Sequence, residues 1–95
     1  MTNVPSYKKH PDHVDGWIYS LEELVDSIGQ MRYDKLAEFL DLLAINFSKQ
    51  ATSDIEASRI KLSVELIQAS VFVIDAAEQM KKAWKICEPY MKENK

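Results

Sequence analysis

Residues 55–87 read IEASRIKLSVELIQASVFVIDAAEQMKKAWKIC, and this stretch decides the fold. It contains neither Gly nor Pro, and its apolar side chains recur at helical spacing. One stripe is Ile55, Leu62, Leu66, Ala69, Val73, Ala76, Ala77, Met80, Trp84 and Cys87; a second is Ile60, Val64, Ile67, Val71 and Ile74. At about 100° per residue the second stripe is expected roughly opposite the first. A helix needs one apolar face to pack on its own chain, so the second is a candidate contact with another chain. Its steps of four, three, four and three are the a/d spacing of a heptad, and all five side chains are β-branched. Burying each is worth about 1.5–3 kcal/mol, and an uncovered patch of this size is unusual on a monomer. The competing reading is that earlier helices of the same chain cover both faces.

Working outward, Ala51, Thr52 and Ser53 read as a polar turn. Ser53 and Glu56 have capping-box spacing, with Asp54 at the positive end of the helix that follows. Pro89 disfavours helical geometry at Glu88 and should end that helix there. Lys81, Lys82 and Lys85 then fall in its last turns, where the helix dipole favours cations. Such a helix is about 50 Å long. Upstream, a second helix is expected from Tyr33 or Asp34 to about Gln50, with Leu36, Leu40, Leu43 and Phe47 as its stripe, flanked by Tyr33, Ala37, Phe39 and Ala44. Leu42 and Ile45 lie off that stripe among charged residues and read as single exposed apolar side chains. Ser20 and Glu23 form another capping box, opening a short helix that Gly29 stops. A break between Gly29 and Tyr33 keeps Arg32 out of the apolar stripe.

Residues 1–19 carry Pro5, Pro11 and the Asp15–Gly16 pair, and read as an irregular arm that orders at Trp17, Ile18 and Tyr19. Residues 20–95 read as one helical domain. The expected fold is all-α: an antiparallel helical hairpin with a short N-terminal helix, dimerising into a four-helix-type bundle.

The chain of 95 residues is one small domain's worth, with a modest core that association would enlarge. Twelve basic against fifteen acidic side chains give net charge −3, and an isoelectric point near 5.3 disfavours general nucleic-acid binding. A single cysteine, Cys87, precludes an intramolecular disulfide and fits a reducing compartment. No stretch reaches the ~18 apolar residues of a membrane span. The expected setting is the cytoplasm, without a membrane or nucleic-acid partner.

Catalytic chemistry has one candidate. Glu22, Glu23 and Asp26 are followed by Glu38 and Asp41, and then by Asp75 and Glu78. Carboxylates three apart share a helix face, and such oxygens suit Mg²⁺ with substrate phosphates. The layout resembles that of the all-α nucleotide pyrophosphohydrolases, over some twenty residues. That resemblance implies a Mg²⁺-dependent release of pyrophosphate from nucleotides. Asp26 departs from the Glu usual there, and no matching Lys, Arg or Asn set for the nucleotide is present. Glu38 and Asp41 also point away from the Leu36–Phe47 stripe, as a solvated helix face does.

His10, Asp12, His13 and Asp15 sit in a Pro-containing loop without a rigid ligand frame, so no metal is expected there. Cys87 lies on the main apolar stripe and reads as an inert buried thiol. No cofactor is expected. The favoured function is protein–protein interaction or scaffolding, by a homodimer or a small subunit of a hetero-complex, with Ile60, Val64, Ile67, Val71 and Ile74 as the interface.

Overall fold

The computed structural model describes residues 10–93. Among them it forms three helices: α1 (Leu21–Gly29), α2 (Tyr33–Glu56) and α3 (Ile60–Glu93). The chain divides into two compact units, one ending at Gln30 and the other beginning at Met31. The part of the expected arm before His10 lies outside the described residues, as does Lys95.

In the first unit, residues 10–20 are bends and turns leading into α1. The capping box forms as its spacing requires: Glu23 N–H donates to Ser20 Oγ at 3.1 Å, and Ser20 N–H donates to Glu23 Oε1 at 2.9 Å. Trp17 is half-buried, with its ring edge-on to Tyr19 at 5.3 Å and its Nε1–H donating to the Ser20 carbonyl at 3.2 Å. Ile18 and Tyr19, expected to anchor the arm, remain exposed.

The second unit is an antiparallel hairpin of α2 and α3. Its line of closest approach consists of small residues spaced by seven. Ala37, Ala44 and Ala51 of α2 are buried, as are Ser63, Ser70 and Ala77 of α3. Small side chains let the two backbones come close enough for cross-helix hydrogen bonds. Ser70 Oγ donates to the Ala44 carbonyl at 3.0 Å and lies 2.9 Å from Ser48 Oγ.

This geometry corrects the expected facing of α3. The two apolar stripes do not stand inside and outside the hairpin. At about 100° per residue they flank the Ser63–Ser70–Ala77 line by roughly 70–80° on opposite sides. The Leu66, Val73 and Met80 side is half-buried, together with Leu36, Leu40, Leu43 and Phe47 of α2. The Ile60–Ile74 side stays exposed.

Three boundaries differ from the sequence reading. Helix α2 does not stop near Gln50 but continues to Glu56, so Ser53, Asp54, Ile55 and Glu56 end one helix and do not begin the next. Continuing the helix buries Ala51 in the small-residue line and Asp54 at the turn. Arg59 Nε donates to Asp54 Oδ1 at 2.8 Å, and Arg59 N–H donates to the Asp54 carbonyl at 2.7 Å. The turn itself is Ala57, Ser58 and Arg59, with Ser58 in the left-handed region at φ 64°. At its far end α3 passes through Pro89 and stops at Glu93. Proline's fixed φ is helical, and its position near an exposed helix end leaves the forgone backbone bond to water.

Candidate functional site

The five stripe residues of α3 form the candidate contact face. Ile60, Val64, Ile67, Val71 and Ile74 are between 44% and 54% exposed. Their β-branched side chains occupy consecutive turns because nothing in residues 60–74 breaks the helix. In an antiparallel hairpin the flank of α2 on that side carries Ile45, also half exposed, beside Ser48 and Asp41. The sequence reading treated Ile45 as an isolated exposed side chain; the hairpin places it on the same side as the α3 stripe. The signal for this lay in the sevenfold spacing of Ala and Ser, which sets the rotation of both helices.

A charged cluster closes the apolar face. Lys81 Nζ is 3.1 Å from Asp41 Oδ2 on α2 and 3.1 Å from Glu78 Oε2 on its own helix. Donating to the Asp41 carboxylate, and then to that of Glu78, raises the Lys81 ammonium above its ordinary pKa. Beyond it lies a shallow groove of about 340 Å³, lined by Asp34, Ala37, Glu38, Asp41, Trp84 and the lysines Lys81 and Lys85. Arg32 lies over the Trp84 ring at 5.3 Å and holds Asp34 in a two-pronged ion pair at 2.6 and 3.0 Å. That hydrogen bond lowers the Asp34 carboxyl below its ordinary range and raises the guanidinium. Trp84 is thus half-buried under a cation, where the sequence suggested simple core.

The candidate catalytic carboxylates are dispersed in role. Glu22, Glu23 and Asp26 belong to the first unit, where Glu23 caps α1 and lines a groove with Asp26, Trp17 and Tyr19. Glu38 and Asp41 belong to the second, Glu38 3.4 Å from Lys35 and Asp41 bound to Lys81. His13 Nδ1 lies 3.0 Å from Asp12 Oδ1 on an exposed loop, and this hydrogen bond lowers the Asp12 carboxyl. Among the described residues no three His, Cys, Asp or Glu side chains are grouped to hold a metal ion. Cys87 is half-buried and carries a free thiol. Among the described residues no helix is long and apolar enough to cross a membrane.

No protein-family model, curated protein or solved structure matches this chain. The functional reading therefore rests on the all-α hairpin and the chemistry of its faces.

Proposed function

We propose that the chain is a small cytoplasmic interaction or scaffold protein that self-associates through the Ile60–Ile74 face of α3. One observation carries this reading. The fully buried apolar side chains among the described residues are four alanines, while five β-branched side chains remain about half exposed on one continuous face. Each alanine contributes little, since a buried methyl or methylene is worth about 0.8 kcal/mol. These five side chains are left for a contact outside the chain. A second copy brings an identical seam and meets the self-complementarity that a two-fold interface needs.

The pyrophosphohydrolase alternative gains no support from the carboxylates of the hairpin. Lys81 already occupies the space between Asp41 and Glu78, so their charge is compensated within the chain.

Val71 sits near the middle of the seam, and Val71→Asp tests the reading. The substitution removes one apolar contact per copy and buries a carboxylate if association persists. At micromolar concentration the variant should sediment as a monomer with the helical circular dichroism of the parent, while the parent sediments as a dimer. A variant that associates as tightly as the parent would contradict the assignment of the face. Co-purification of a different chain with a monomeric parent would replace self-association by a hetero-complex.

A further inference from the structure

We infer that two copies pair antiparallel along α3, about a two-fold axis passing between Ile67 and Val71, with Lys61 of each copy facing Asp75 of the other. The inference rests on the self-association proposed above and specifies its geometry. In heptad terms Val64 and Val71 take position a, while Ile60, Ile67 and Ile74 take position d. Antiparallel helices bring the a residues of one level with the d residues of the other. Two registers then give four apolar layers.

Charge chooses between them. If Val64 meets Ile67, the flanking Lys61 faces Gln68, and Asp75 lies beyond the start of the other α3. If instead Val64 meets Ile74 and Val71 meets Ile67, Lys61 faces Asp75 and Gln68 faces Gln68. The two-fold axis repeats the Lys61–Asp75 pair on both edges of the seam. Neither Lys61 nor Asp75 has an ion-pair partner among the described residues, so both are available. Parallel pairing offers no such match. It sets Lys61 level with Lys61, and the residues on the opposite edge of the seam are Ser63, Ser70 and Ala77, which the hairpin already buries. Complementary edge charges of this kind fix orientation more than they add affinity. At the outer end Ile60 meets the Glu78 stem, where the apolar stripe stops.

Two measurements on the full chain test this. A spin label at Lys82→Cys, in a Cys87→Ser background, should show an inter-copy distance of about 40 Å, because 1.5 Å per residue separates the labels on both sides of the axis. Parallel pairing brings the same labels to about 10–15 Å. A short distance in a dimer overturns the antiparallel geometry while leaving self-association intact; a monomeric parent removes both. For the register, Lys61→Asp should weaken the dimer about tenfold at low salt, and adding Asp75→Lys should restore it. Both substituted positions are on the helix surface, and unchanged circular dichroism confirms the fold. A double variant no tighter than Lys61→Asp overturns the Lys61–Asp75 pairing.

Discussion

Ser58 is the residue on which the hairpin reverses. Its φ of 64° lies in the left-handed region, which costs an L-residue about 1–2 kcal/mol and a glycine nothing steric. Ser58→Gly should therefore stabilise the hairpin by about 0.5–1 kcal/mol after glycine's greater unfolded-state entropy is subtracted. Urea unfolding under conditions where the chain's association state is fixed measures this directly. The Arg32–Asp34 pair supplies a pH dependence. The folded Asp34 carboxyl is held below its unfolded value by the guanidinium hydrogen bond, so the unfolded chain takes up a proton first. The contribution is fully present above the unfolded pKa and is lost as pH falls through the lower folded one. Asp34→Asn should flatten the part of the acid-unfolding profile that this pair supplies, and an unchanged profile would show that the pair contributes nothing. At this scale the sequence was legible where hydrogen bonds are local, as at Ser20 and Glu23. It was misleading at Ser53 and Glu56, which have the same spacing but end a helix, because the deciding contact joins Asp54 to Arg59 across the turn.

The helices pair through residues that hydropathy overlooks. Large side chains marked Leu36, Leu40, Leu43 and Phe47 as the contact stripe of α2, yet the buried line is Ala37, Ala44 and Ala51. Close backbone approach is the reason: the Ser70 hydroxyl reaches the Ala44 carbonyl at 3.0 Å. Ala44→Leu should overfill this line, at a cost of about 1–3 kcal/mol, and separate the helices. Thermal unfolding of the variant reads the loss, and an unchanged midpoint would show that the approach is not close. The presence of helices, their order and the break after Gly29 were legible from periodicity and caps. The rotation of each helix was not, because alanine and serine weigh little in an apolar-stripe count. Their spacing by seven on both helices carried the information. Pro89 shows the converse: a local backbone rule predicted a stop at Glu88, and the helix continues to Glu93.

At the scale of the hairpin, helix rotation decides which apolar side chains are exposed. Turning α3 so that Ser63, Ser70 and Ala77 face α2 leaves Leu66, Val73 and Met80 half-buried and the Ile60–Ile74 stripe exposed. The sequence identified the five exposed residues by period alone, and their accessibility in the hairpin agrees with a contact surface. The same count misjudged most of the first stripe: Ala77 lies in the hairpin seam, while Leu66, Val73 and Met80 flank it. Lys81, held by Asp41 and Glu78, marks where the apolar face gives way to charge. Under the proposed self-association, assembly would couple to folding, since the second copy would bury the five stripe side chains that the hairpin leaves about half exposed. Sedimentation equilibrium of the unaltered chain at micromolar concentration tests that account most directly. It predicts a species of twice the 11.0 kDa chain mass, dissociating on dilution. A folded species that stays at 11.0 kDa throughout would contradict it.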